Sequence, residues 1–179
     1  MITGKYPSLR LRRSRKSSWS RRLVSENNLS PSDFILPIFL IEGKNKTQPI
    51  KSMPGVNRYS INRLGTILDR AIKNRIPMVA LFPYTSPKLK DHLGSEALNE
   101  DNLVCRATKY IKNKYKNQIG IMCDVALDPY TIHGHDGILK SNDIINDETV
   151  EILIKQSLLQ AQMGCDVLAP SDMMDGRIG

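Results

Sequence analysis

Two rhythms of apolar and polar positions alternate along the chain. Short, largely apolar runs have the length and residue types of buried strands: Phe34-Ile-Leu-Pro-Ile-Phe-Leu-Ile41, Met78-Val-Ala-Leu-Phe82, Ile119-Gly-Ile-Met-Cys123 and Cys165-Asp-Val-Leu-Ala169. Between them the apolar residues recur at helical spacing. Leu64, Ile67, Leu68, Ala71 and Ile72 predict a helix that starts near Ser60 and is closed by Pro77. Val104, Ala107, Thr108 and Ile111 predict a second over residues 103–116, and Val150, Ile154, Leu158 and Ala161 a third from Asp147 to about Met163, ended by Gly164. Pro37 removes a ladder donor, so its strand is expected to pair irregularly or at an edge. Residues 42–58 read as a polar loop. The connection over residues 83–102 is longer than a routine one and is expected to be functional.

The order β-α-β-α-β-α-β implies parallel βαβ units. Four strands make about half of an eightfold barrel, which typically takes about 250 residues. The expected fold class is therefore α/β, a (β/α)8 barrel cut to about four βα units over residues 31–179. A basic arm over residues 1–30 precedes it.

Charge separates that arm from the rest. The chain has 179 residues and a net charge of +8. Lys5, Arg10, Arg12, Arg13, Arg15, Lys16, Arg21 and Arg22 fall in the first 25 residues, with no acid among them, which leaves the remainder neutral. Three readings of the arm stay open: a solvated or partner-clasping segment, which is favoured; a nucleic-acid patch, for which the single Trp19 offers little stacking surface; and an Arg- and Ser-rich transit peptide. With so little stacking surface no nucleic-acid partner is expected, and no membrane crossing, because no apolar run approaches the roughly 18 residues of a spanning helix. Cys105, Cys123 and Cys165 are odd in number and form no CxxC pair, which suits a reducing, cytoplasmic setting.

The chemistry concentrates in Asp124-Val-Ala-Leu-Asp-Pro-Tyr-Thr-Ile-His-Gly-His-Asp-Gly137, at the end of the third strand. If the extension continues, Asp124, Ala126 and Asp128 share one face. Asp124, Asp128 and Asp136 together can bind a hard cation, activate water or hold an amine, and clustered acids perturb one another's proton affinity. His133 and His135 read equally well as metal ligands, proton shuttles or loop hydrogen-bonders. Ser171, Asp172, Asp175 and Arg177 follow the fourth strand and should neighbour the first cluster. Ser171 lacks a nucleophile elbow and is read as a substrate hydrogen-bonder, and Arg177 as an internal partner of Asp175 or Asp172.

On these motifs the chain resembles the delta-aminolevulinic acid dehydratases, or porphobilinogen synthases. The matching pieces are Met53-Pro-Gly-Val-Asn-Arg58, Leu93-Gly-Ser-Glu-Ala97, the Asp124–Gly137 stretch and Ala169-Pro-Ser-Asp-Met-Met-Asp-Gly-Arg177, with an arm, Arg10-Leu-Arg-Arg-Ser-Arg-Lys-Ser-Ser-Trp19, like that of bacterial members. The resemblance implies a lyase that condenses two molecules of 5-aminolevulinate into porphobilinogen on the way to heme and other tetrapyrroles. It also implies a homo-octamer in which the arm embraces a neighbouring subunit. Carried over by residue, Asp124, Asp128, Asp136 and Ser171 are catalytic, Asp172 binds substrate, and Arg12 reaches a neighbour's site. Zinc-dependent members carry three cysteines where this chain has Ala126, Asp128 and Asp136. Hard oxygen ligands match the magnesium-responsive members, so Mg2+ is expected and zinc is not, with Asp128 and Asp136 either metal ligands or partners of the substrate amine. The family's two Schiff-base lysines lie on later strands, and Lys51, Lys88 and Lys140 read as surface charges. The 179 residues alone are therefore expected to be inactive. Two readings compete with this one: a metal-dependent barrel hydrolase using His133, His135 and the aspartates, and a non-catalytic remnant or assembly module.

Overall fold

Four parallel strands, all running the same way, set the architecture of residues 31–179. A computed structural model describes residues 4–171 and 174–179 of the chain. It divides into two units, Met1–Ser30 and Pro31–Gly179.

The first unit contains a 3-10 turn, Arg13–Arg15, and a short helix, α1 (Ser18–Leu23). Ser20 Oγ accepts from Ser17 N–H at 3.3 Å and donates to Ser17 O at 2.9 Å, which closes the first turn. A six-residue helix cannot bury much, and Leu11, Trp19 and Leu23 remain largely exposed.

In the second unit β1 (Ile35–Ile41) is followed by two short strands, β2 (Thr47–Pro49) and β3 (Asn57–Tyr59). Then come α2 (Leu64–Lys73), β4 (Met78–Tyr84), α3 (Leu103–Tyr115) and β5 (Gly120–Val125). A hairpin of β6 (Ile138–Lys140) and β7 (Asp143–Ile145) leads into α4 (Asn146–Gln162) and β8 (Val167–Pro170). The sheet order is β2-β3-β1-β4-β5-β8, parallel throughout except for β2 against β3. The four expected strands and three expected helices are thus present. The sequence pattern missed β2, β3, β6 and β7, each three residues long and too short to show a period.

Alternation sorts the strand residues. Ile38, Leu40, Val79, Leu81, Ile121 and Cys123 are fully buried against Leu64, Leu68, Val104, Ala107 and Ile111 of α2 and α3. Phe39, Phe82, Met122, Asp124 and Ala169 take the other face and are half-buried. Pro37 lies opposite Ala80 of β4, while β3 pairs with β1 only at Phe39 and Leu40, so the Pro37 half of β1 has a strand neighbour on one side.

Helix α4 departs from its predicted stripe. Its buried residues are Thr149, Leu153, Gln156, Leu159 and Gln160, whereas Ile154 and Leu158 are 49% and 59% exposed and Ala161 is exposed. The helix is rotated so that two glutamine amides, beside Leu153, face the end of β5: Gln156 Nε2 donates to Ala126 O at 3.1 Å and Gln160 Nε2 to Asp124 O at 2.9 Å. Gly164 ends the helix as expected, with φ +97°.

The long connection after β4 is ordered by Asn102. Its buried side chain accepts from Cys105 N–H at 2.8 Å, capping α3, and donates to Glu96 O and Ala97 O at 3.3 and 3.4 Å. Asn102→Ala loses the cap and strands two carbonyls. We expect a cost of about 2 kcal/mol in urea unfolding, and a cost below about 0.5 kcal/mol would refute this role.

Candidate active site

β5 stops at Val125, one residue after Asp124, and the chain turns. Tyr130 and Thr131 N–H groups both close on Leu127 O, at 2.8 and 2.9 Å. Asp124, Ala126 and Asp128 therefore do not lie on one extended face, contrary to the sequence expectation. Pro129 and the turn it enters carry Asp128 off the strand axis, and the loop returns to bring Asp136 back. Asp136 Oδ1 accepts from Leu127 N–H at 2.6 Å. At Gly137, φ +155°, an added Cβ would come within 2.6 Å of Ile144 Cγ2, so the return requires glycine.

The result is a concentration of half-buried carboxylates at the C-terminal end of a parallel sheet, where α/β folds place ligands. Burial pushes the Asp124 carboxyl up to about 6, and the charges of Asp128 and Asp136 add to the rise. Asp128 is raised by burial, against the opposing pull of its own backbone N–H and the Lys90 cation. Asp136 is raised by burial as well, opposed by the Leu127 N–H and by Arg177. Arg177 Nη1 stands 3.6 Å from Asp136 Oδ2, and its guanidinium donates to Asp136 O at 3.2 and 3.3 Å and to Asn146 Oδ1 at 3.2 Å. Arg177 thus bridges back to the loop; of its expected partners, Asp172 lies outside the described residues.

Ser171 follows β8 directly and donates its N–H to Val125 O at 3.3 Å, which seats it beside the β5 tip. Asp172 lies outside the described residues. Arg12 is an exposed residue of the first unit, where its carbonyl accepts from Arg15 N–H at 3.0 Å. His133 Nδ1 accepts from His135 N–H at 3.2 Å, and the two rings stack at 5.6 Å, with His92 6.2 Å from His133. Among the described residues no group of three or more His, Cys, Asp or Glu is arranged to hold a metal ion. Cys105 and Cys123 are buried on the helix side of the sheet.

Residues 8–179 match the family model for delta-aminolevulinic acid dehydratase. The chain belongs to the delta-aminolevulinic acid dehydratase family. It is 54% identical over 171 residues to the delta-aminolevulinic acid dehydratase of Bradyrhizobium diazoefficiens, covering 96% of this chain and 48% of that protein. It is 44% identical to that of Chlamydia pneumoniae, covering 96% and 52%. Among solved structures, that of delta-aminolevulinic acid dehydratase from Toxoplasma gondii ME49, in complex with the reaction product porphobilinogen, is similar with a TM-score of 0.88 and 40% identity over 95% of this chain and 48% of the other. The chain spans about half the length of these relatives.

The long connection before α3 also reaches the site. Asp91 N–H donates to Tyr130 O at 3.3 Å and Ile132 N–H to Asp91 O at 3.0 Å, so this segment runs beside the aspartate loop. Asp91 Oδ1 is held by Leu93 and Ser95 N–H groups at 2.9 and 3.0 Å, and the Ser95 bond leads in lowering its pKa. This loop pairing lets Lys90 Nζ donate to Asp128 O at 3.5 Å. Sequence reasoning passed over Lys90, since only the tertiary pairing of two distant loops brings it to the carboxylates.

Proposed function

We propose that residues 31–179 form half of a (β/α)8 barrel and supply the carboxylate side of a porphobilinogen synthase site, where two 5-aminolevulinate molecules are condensed. The observation that carries this reading is the cluster of Asp124, Asp128 and Asp136 beside Ser171 at the strand ends, with all three acids raised in proton affinity. Asp124, half-buried and raised further by its two acidic neighbours, favours an ammonium ligand, and 5-aminolevulinate carries one. Asp124 can hold a proton near pH 6 and release it near neutrality, so it is placed to accept a proton from the bound ammonium and free the amine. Ser171 offers a hydroxyl for a substrate oxygen, and Asp172 and Arg12, the latter from a neighbouring subunit's arm, complete the proposed substrate contacts.

The donor set here is oxygen, which suits Mg2+ better than zinc. Asp128 and Asp136, whose Oδ2 is buried without a hydrogen bond, would hold the ion. With only two protein ligands it would keep most of its water. Bound there, it would supply neutralising charge. Self-association through the basic arm, an octamer and a cytoplasmic setting belong to the same proposal. No described helix is long and apolar enough to cross a membrane.

Schiff-base chemistry in this reading needs lysines from the other half of the barrel. The purified 179 residues should form no porphobilinogen alone, and should do so when a polypeptide containing the second half of the Bradyrhizobium protein is refolded with them. Product from the 179 residues alone would overturn this division of labour.

A further inference from the structure

On its β4 side the tip of β5 faces a proline. Gly120 N–H donates to Pro77 O, and the register runs from Met78↔Gly120 to Leu81↔Cys123. Continued by two residues at a time, that ladder assigns the donor for Asp124 O to residue 83, which is Pro83. On the other flank the register runs from Met122↔Val167 to Val125↔Pro170, and Ser171 N–H serves Val125 O at 3.3 Å. Proline has no N–H, so β4 cannot serve Asp124 O in register. Asp124 O accepts from Gln160 instead, and Ala126 O, one residue past the strand, accepts from Gln156.

Those glutamines are 3% and 1% exposed, and the Oε1 atom of each is buried with no hydrogen-bond partner among the described residues. An amide that serves one carbonyl and leaves its own oxygen stranded adds little stability over an apolar side chain of the same length. Stability therefore does not account for two of them on consecutive turns of one helix. What both do is fix the strand end from which the aspartate loop departs.

We propose that Gln156 and Gln160 are positioning residues of the aspartate site. The Gln160 amide replaces the ladder donor that Pro83 cannot supply, and the Gln156 amide holds the first carbonyl beyond the strand. They thereby set the turn that brings Asp128 and Asp136 to Asp124. The catalytic meaning of this rests on the function proposed above; the bracing itself does not.

The test uses the isotopically labelled 179-residue protein and its Gln156→Met/Gln160→Met variant, followed by NMR and thermal unfolding. We expect a melting temperature within about 3 °C of the parent and displaced or broadened resonances from Asp124 to Asp136. We also expect about tenfold weaker binding of 5-aminolevulinate, the scale of a misplaced binding group. The single variant Gln156→Met should keep the Asp124 resonances in place. A fall of more than about 8 °C with unmoved loop resonances and unchanged affinity would make the pair merely structural and overturn the proposal. If the double variant does not fold, the parent decides: a scalar coupling across the hydrogen bond from the Gln160 side-chain nitrogen to the Asp124 carbonyl carbon supports the brace, and its absence refutes it. If the parent binds no 5-aminolevulinate, the functional reading fails, while the loop resonances still judge the brace.

Discussion

Asp124→Asn is expected to stabilise the folded chain at pH 7 by about 2 kcal/mol and to abolish its affinity for an ammonium ligand. The carboxyl titrates at about 6 in the folded chain, against about 3.9 in an unfolded one. A folded-state value raised in this way means that the native state holds its proton longer than the unfolded state. Stability is therefore unaffected below about pH 4, falls as pH rises from about 4 to about 6, and stays reduced above that. The full gap corresponds to just under about 3 kcal/mol, and solvent at this half-buried group reduces it to about 2 kcal/mol. Asparagine removes the charge while keeping the shape, so the melting temperature should rise by about 4–8 °C at pH 7 and hardly at all at pH 4. An equal loss of stability at both pH values would show that the carboxylate is not strained by its surroundings.

Arg177→Met has the opposite sign. The Arg177 side chain is 2% exposed and that of Asp136 19%, so their pairing is nearly out of water. Methionine keeps the length but takes the cation from Asp136 and three donated hydrogen bonds from Asp136 O and Asn146. Breaking a buried pair from one side typically costs about 3–5 kcal/mol, and we expect about 3 kcal/mol here. Losing the cation raises the already elevated Asp136 carboxyl further. The deficit should therefore grow as pH climbs from the ordinary aspartate range to the new folded value, so urea unfolding at pH 8 should show more damage than at pH 5. Adding Asp136→Asn should recover part of the loss, because no unpaired charge then remains. A cost under about 1 kcal/mol at pH 8 would rule out this bridge as the clasp of the loop.

The strand-helix alternation could be read from the sequence because each long element carries its own period. Leu64, Leu68 and Ala71, and Val104, Ala107 and Ile111, are buried where their spacing put them. Helix α4 shows the limit of that logic. Its interior is chosen by carbonyls at the end of β5, so glutamines face inward, and a pattern that scores only apolar residues picked the exposed Ile154 and Leu158 instead. The β6–β7 hairpin was hidden because its turn residues, Ser141 and Asn142, take positive φ without the glycine that usually marks such a turn. At the site, the crowding of Asp124, Asp128 and Asp136 was visible in one short stretch. Arg177 was expected beside that cluster, but neither its bridge to Asp136 nor the approach of Lys90 was legible, since these contacts span 41 and 38 residues and leave no local signal.

The most direct test is a calorimetric titration of 5-aminolevulinate into the 179-residue protein between pH 5 and pH 8. An ammonium held by carboxylates that are still losing protons near pH 6 predicts saturable binding that strengthens from pH 5 to about 7 and then levels off. Absence of binding across that range, or an affinity that does not change with pH, would contradict the account.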